Sequence, residues 1–331
     1  MRFIQIGVGG FGQTWLGRIQ RDHSASLAAL VDVNAEALEA ARRETRLPGS
    51  HCHEDYAAAL DEVKADAVLI VTPPEFHHEI ALAALGRGLH VLTEKPMADT
   101  MEHARLMVKA AEEAGRTLMV SQNYRFRPWA RTLADLMRSG KFGAPDSISV
   151  KFAKCLRADG APDKKLRHAL VRDMSVHHFD LMRSLTGREP VWVFGKTWQP
   201  QWSWFEQDAC AAAIMEFEGG LKVMYEGDWV TRGRETTWDG YWCVECQQAV
   251  IELRGERLHV TPMGHADQDM ELALHAEAGT GQTAVLQEFQ RAVAEGREPE
   301  TDGRDNLKSL AMCFALMESS RTGQRVEAGE V

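Results

Sequence analysis

The segment Asp173-Met174-Ser175-Val176-His177-His178-Phe179-Asp180 sets two carboxylates around an imidazole. On a helix, Asp173, His177 and Asp180 fall at i, i+4 and i+7 and share one face. An imidazole changes charge near neutral pH, so His177 could take a hydroxyl proton while Asp173 orients the ring or the substrate. A histidine paired with a carboxylate at the start of a structural helix has the same spacing. His178 lies roughly a quarter turn away and is expected to pack or to meet solvent.

A second chemical group is Glu94-Lys95-Pro96, directly after the apolar run at 90–93. At the carboxyl end of a parallel strand, the Lys95 ammonium would point toward a ligand crevice. There it could hold an oxygen that gains negative charge as a hydride leaves the same carbon. A solvated surface lysine is the plain alternative. Thr72-Pro73-Pro74, with His77 just beyond, rigidifies a helix start that in the same architecture faces that crevice.

The turn Gly7-Val8-Gly9-Gly10-Phe11-Gly12 has G-x-G-x-x-G spacing between a strand and a helix. Its glycines allow a tight turn and let backbone N–H groups approach a pyrophosphate at the positive end of the helix. Asp32 follows Gly12 by 20 residues, where a carboxylate takes the adenosine ribose hydroxyls. A carboxylate there repels a 2′-phosphate, and Val33 and Asn34 come next instead of an arginine. NAD is favoured over NADP as the cofactor.

These residues need a frame, and residues 2–120 supply one. Apolar runs at 2–6, 26–32, 67–71, 90–93 and 117–120 alternate with helical patterns at 11–22, 35–45, 75–86 and 101–114. Strands that read as apolar blocks are those covered on both faces, so the pattern predicts a doubly wound parallel sheet, a Rossmann domain over residues 1–121. A basic aromatic stretch at 123–129, which includes Arg125, and a helix at 130–139 mark the change to a second domain over residues 122–331. Strand-like runs at 147–155, 191–198, 209–217, 221–229, 241–246, 249–253 and 257–261 are joined by turns such as Glu218-Gly219-Gly220. Helices are predicted at 173–185, 283–295 and 305–320. The expectation is an α/β chain whose carboxyl-terminal α+β domain holds a large, mostly antiparallel open sheet.

The 331 residues are enough for two hydrophobic cores. A net charge of −10 repels phosphate backbones and anionic lipid surfaces, so neither nucleic acid nor a membrane is an expected partner. The first residues lack the long apolar core of a signal peptide, and no run approaches the ~20 apolar residues of a membrane span. A cytoplasmic protein with reduced thiols is expected. Of the six cysteines only Cys243 and Cys246 have ligand-like spacing. No second pair follows, so they are read as strand residues and no metal is expected.

Taken in order, the glycine turn, Thr72-Pro73-Pro74 with His77, Glu94-Lys95-Pro96, the 122–128 segment and Asp173-x-x-x-His177-x-x-Asp180 resemble the glucose–fructose oxidoreductase and inositol dehydrogenase (Gfo/Idh/MocA) family. The match spans nearly the whole chain, including a last helix at 310–324. The resemblance implies a catalytic set of Lys95, Asp173 and His177, with NAD or NADP as cofactor. It implies hydride transfer at a secondary alcohol of a sugar, sugar derivative or cyclitol. It also implies an open second sheet that mediates a homodimer or homotetramer. Two other activities are compatible with it: a nucleotide-sensing regulator without catalysis, and a glycosidase that uses NAD redox transiently.

The sequence departs from the family pattern where Ser175 replaces a glycine and where a basic run at 164–172 replaces a glycine-rich approach. Arg172 is therefore a candidate for an anionic sugar acid, with a solvated basic loop as the alternative. Arg125 and Asp180 are further substrate candidates. Seven of the nine tryptophans lie between 192 and 242. Most are expected at a subunit interface, with Trp202 and Trp204 the better candidates for stacking on a sugar ring.

Overall fold

The computed structural model describes residues 1–155, 168–276 and 279–329. Residues 164–167 of the basic run at 164–172 therefore lie outside the described residues, and 168–172 are described. The chain forms two compact units, Met1–Asn123 with Gly279–Leu307, and Tyr124–Ala278 with Lys308–Val331.

The first unit alternates β1 (Arg2–Ile6), α1 (Gly12–Arg21), β2 (Ser26–Val31), α2 (Ala35–Thr45), β3 (Cys52–His53), α3 (Tyr56–Glu62), β4 (Ala67–Ile70), α4 (His77–Gly86), β5 (His90–Thr93), α5 (Met101–Ala114) and β6 (Leu118–Val120). All pairings in the strand order β3-β2-β1-β4-β5-β6 are parallel. Every residue of β4 is fully buried, as an apolar block covered on both faces must be. Asn34 caps α2 by accepting from the Glu36 and Ala37 amides, and Thr100 caps α5 by accepting from His103. The strand order reverses between β1 and β4. This fold opens its ligand crevice at the carboxyl ends of such strands.

The second unit contains α6 (Pro128–Ser139), β7 (Pro145–Ala153), a π-helical turn (Val171–Ser175), α7 (Val176–Thr186), β8 (Pro190–Trp198), β9 (Cys210–Phe217), β10 (Lys222–Asp228), β11 (Tyr241–Cys246), β12 (Ala249–Arg254), β13 (Arg257–Pro262) and β14 (Met270–Glu271). Then come α8 (Gly281–Glu295), α9 (Gly303–Thr322) and β15 (Val326–Glu327). The sheet order is β14-β13-β12-β11-β7-β10-β9-β8-β15, antiparallel except where β7 runs parallel to β10. Burial alternates along β10, so one face joins the core while the other presents Phe194, Ile214 and Met224 in register across three strands.

Three sequence expectations change. Helix α8 belongs to the first unit, where Phe289 meets Phe3 at 6.0 Å, and Thr301 exchanges hydrogen bonds with Val120 at the edge of the parallel sheet. Trp229 and Trp242 are fully buried core residues and not interface residues. The predicted helix at 173–185 begins as a π-turn, so Asp173 and His177 straddle two helical pitches and the simple α-helical face does not apply. Among the described residues no helix is long and apolar enough to cross a membrane.

Candidate active site

The glycine turn sits at the switch between β1 and β4. Gly7 has φ +90°, and a Cβ on it would lie 2.5 Å from the Val71 carbonyl oxygen. A Cβ on Gly12 would lie 2.3 Å from the Gly7 oxygen. Both positions are closed to any side chain by backbone atoms. Gly10, with φ +45°, faces open space instead. The buried Gln5 amide donates to the Gly7 and Gly12 oxygens at 3.1 and 2.8 Å and so fixes both ends of the turn. Gln5 is a site-building residue that the motif does not contain.

Asp32 holds the other side of the turn. Its Oδ2 accepts from the Val8 and Gly9 amides at 2.9 and 3.1 Å, and its Oδ1 accepts from Asn34 at 2.9 Å. Helix α1 starts at this turn with no side-chain cap and no acidic residue in its first turn. Its own first turn therefore carries no carboxylate, and Asp32 engages only the Val8 and Gly9 amides before it. The half-exposed Phe11 stands at the same point. Thr72 Oγ1, on the loop that Gly7 packs against, is buried and has no hydrogen-bond partner. An uncapped helix end, an open glycine face and an orphaned hydroxyl fit a dinucleotide pyrophosphate.

His77 joins the next two loops. Its Nε2 lies 2.8 Å from the Thr72 oxygen, and its Nδ1 lies 3.1 and 3.3 Å from the Pro96 and Met97 oxygens. The ring is fully buried, and burial pulls its pKa down against those carbonyls. His77 thus ties the Thr72-Pro73-Pro74 loop to the loop that carries Lys95. Glu94 is buried too, accepting from Trp15 Nε1 at 3.0 Å and from the Lys95 amide at 3.1 Å. Burial raises its pKa, against the opposing pull of the Lys95 charge. The Lys95–Pro96 peptide bond is cis.

In the second unit, His177 is buried and lies against Tyr124, ring centroids 4.4 Å apart and planes 8° from parallel. The Tyr124 hydroxyl donates to the Trp238 carbonyl at 3.2 Å. The Arg127 guanidinium is 4.2 Å from the Tyr124 ring centre and pairs with Asp239 at 2.6 Å. Burial raises the Tyr124 phenol, and the Asp173 charge adds a smaller rise, which places the half-buried Asp173 in the same neighbourhood. Tyr124 is a residue that sequence reasoning missed. The available signal was its place in the aromatic 123–129 segment.

Arg125 and Asp180 were expected to meet substrate, and the structure pairs them with each other. Two Arg125 nitrogens donate to the two Asp180 oxygens at 2.6 Å each, and Ser309 Oγ donates to Asp180 at 2.9 Å. The pair is 8% and 1% exposed, so Asp180 is a structural anchor of α7. His178 is buried, with Nδ1 3.1 Å from the Tyr225 hydroxyl, and burial pushes its pKa down to about 3. Ser175 Oγ lies 2.9 Å from the same hydroxyl. The serine that replaces the family's glycine thus joins a buried polar cluster.

Arg172 is half-buried in the π-turn. Trp202 is half-exposed, donates to the Val230 carbonyl at 3.0 Å and lies under Arg232, whereas Trp204 is partly buried against Phe205. Cys243 and Cys246 are free thiols on β11 whose pKa values burial raises, that of Cys246 to about 11.

Residues 1–122 match the oxidoreductase family with an NAD-binding Rossmann fold, and residues 130–257 match the GFO/IDH/MocA carboxyl-terminal domain. An inositol 2-dehydrogenase of Arthrobacter sp. is 32% identical over 98% of this chain and 95% of its own length. A D-apiose dehydrogenase of Paraburkholderia graminis is 26% identical over 97% of this chain and 88% of its own. The crystal structure of an oxidoreductase from Agrobacterium radiobacter, in complex with NAD+, L-tartaric acid and magnesium, covers 99% of this chain and 98% of its own. Its TM-score is 0.91 at 22% identity, a likeness of fold. The chain therefore belongs to the Gfo/Idh/MocA family of oxidoreductases, and its first unit is that family's NAD-binding Rossmann domain.

Proposed function

We propose that this chain is an NAD-dependent dehydrogenase of a sugar, sugar derivative or cyclitol, acting at a secondary alcohol. The observation that carries the reading is the buried stack that fixes His177 on α7, while the catalytic set of Lys95, Asp173 and His177 is the one the family resemblance implies. Bound NAD supplies the hydride acceptor. Gly7, Gly9, Gly10 and Gly12 seat the pyrophosphate at the start of α1, with Phe11, Thr72, Pro73 and Pro74 around them, while His77 and Glu94 hold the loops on which Thr72 and Lys95 stand. Asp32, its carboxylate held by three backbone amides, receives the ribose hydroxyls and repels a 2′-phosphate, which favours NAD over NADP.

Lys95 then stabilises the substrate oxygen as it becomes an alkoxide. His177 takes the hydroxyl proton, and Asp173 orients it. The substrate is a sugar or cyclitol because the relatives named for their activity act on such compounds. The exposed sheet face of Phe194, Ile214 and Met224 is the surface for a homodimer or homotetramer. Light scattering of Ile214→Lys checks this: a smaller assembly than the unsubstituted chain is expected, and an unchanged one removes that face from consideration.

The function is tested by following the nicotinamide absorbance with NAD and NADP across sugars, lactones and inositols. Reduction of NAD by at least one of them is expected. His177→Ala should lower kcat by about 10² to 10⁴ with little change in NAD affinity. No reduction with any compound, or an equal loss of NAD binding in the variant, rejects the proposal.

A further inference from the structure

Two histidines and an aspartate of the first unit meet outside the catalytic set. His78 is the second residue of α4, His103 the third of α5, and Asp99 lies just before α5. The two imidazoles are stacked, centroids 3.6 Å apart and planes 11° from parallel. His103 Nδ1 lies 2.6 Å from Asp99 Oδ1. One nitrogen or oxygen of each residue falls within 4.8 Å of the others, the one such His, Cys, Asp and Glu grouping among the described residues.

A second observation points to a ligand. His78 Nδ1 is buried and has no hydrogen-bond partner. A buried ring nitrogen without a partner is disfavoured, and a donor atom of the same imidazole lies within 4.8 Å of donor atoms of Asp99 and His103. A cation that takes a lone pair from each residue resolves this.

We infer that His78, Asp99 and His103 form a binding site for a divalent transition-metal ion. Two imidazole nitrogens and one carboxylate oxygen suit zinc, cobalt or nickel better than magnesium or calcium, which prefer oxygen. Ligand distances of about 2.0–2.2 Å in near-tetrahedral geometry set neighbouring donors roughly 3–3.5 Å apart. The Asp99–His103 contact opens by less than about 1 Å to admit the ion, and the two rings splay from their stack. Three protein donors leave a fourth position for water or a small anion.

The site links the start of α4 to the start of α5. His77, adjacent to His78, already bonds the Pro96 and Met97 carbonyls. A bound ion therefore adds a second clasp between the loops that follow β4 and β5, on either side of Thr72 and Lys95. The sequence expectation of no metal did not include this group, because His78 lies far from Asp99 and His103 along the chain and no short ligand motif announces it.

Cobalt(II) titration of the full chain without an affinity tag tests the inference, read by visible ligand-field absorbance and by thermal melting. One equivalent is expected to give a saturable band that zinc displaces, together with a rise in Tm. Asp99→Asn and His103→Gln should each weaken cobalt binding by about tenfold or more, with far-ultraviolet circular dichroism unchanged. His265→Gln, at an exposed turn, should bind as the unsubstituted chain does. Absence of a saturable band in the unsubstituted chain overturns the inference, as does unchanged affinity in both site variants. If one variant fails to fold, the other decides alone.

Discussion

The Tyr124 ring lies flat against the His177 imidazole at 4.4 Å, while its hydroxyl donates to the Trp238 carbonyl. The phenol is thus held at one end and its face fixes the plane of the proposed proton carrier. Proton transfer is steeply sensitive to orientation, so a residue that sets a ring plane influences turnover without touching the reacting atoms.

Tyr124→Leu should accordingly lower kcat by about tenfold to a hundredfold while the Kd for NAD stays nearly constant. Tyr124→Phe keeps the stack and loses only the bond to Trp238, so it should retain most of the turnover. Steady-state kinetics of both variants, with Tm measured alongside, check this. If Phe and Leu reduce kcat alike, the stack is not the positioning element.

Asp32 has two separable duties, one toward the turn and one toward the cofactor. Its oxygens accept from Val8, Gly9 and Asn34 amides, and its charge opposes a 2′-phosphate. Asp32→Asn keeps an acceptor oxygen and removes the charge. The ratio of kcat/KM for NAD over NADP should fall by about tenfold, the size of one lost charge repulsion near the surface. Asp32→Ala should show the same loss of preference together with a lower Tm, since the part-buried Val8 and Gly9 amides lose their acceptor at about 1 kcal/mol each. An unchanged NAD preference in Asp32→Asn would falsify the cofactor role given to this carboxylate.

The parallel domain was legible because its signals are local. The apolar block at Ala67–Ile70 can only be a doubly covered strand, and Gly7 and Gly12 are demanded by backbone atoms within 3 Å. The residues that support the site were not legible, because each acts through a tertiary partner. Gln5 reads as one polar residue in a buried strand, yet its amide spans to Gly12. Arg125 and Asp180 read as substrate candidates and are each other's partners across 55 positions. A helical pattern at 283–295 announced α8, but such a pattern does not say which of two cores the helix covers. The π-turn at Val171–Ser175 carries no periodic signal at all.

His178 makes the stability of the chain sensitive to acid. Its pKa lies near 3 in the folded state against an ordinary value of 6.5, because burial among Phe152, Tyr225 and Trp242 excludes the charged form. Between those values the unfolded chain binds a proton that the folded chain does not. The contribution is fully present above about pH 6.5 and is lost as pH falls, at up to roughly tenfold in the folding constant per pH unit. His77 acts in the same direction, being buried with a lowered pKa. Glu94, whose folded pKa is raised, acts in the opposite direction by recovering stability as it protonates. Both cancel when the chain is compared with a variant at His178 alone. His178→Phe suits the aromatic surroundings, and Ser175 remains 2.9 Å away as a partner for the Tyr225 hydroxyl. Urea unfolding at about pH 7 and pH 5 should give a smaller loss of stability on acidification for the variant than for the unsubstituted chain. Parallel losses in the two would mean that His178 takes up a proton in the folded state as readily as in the unfolded one.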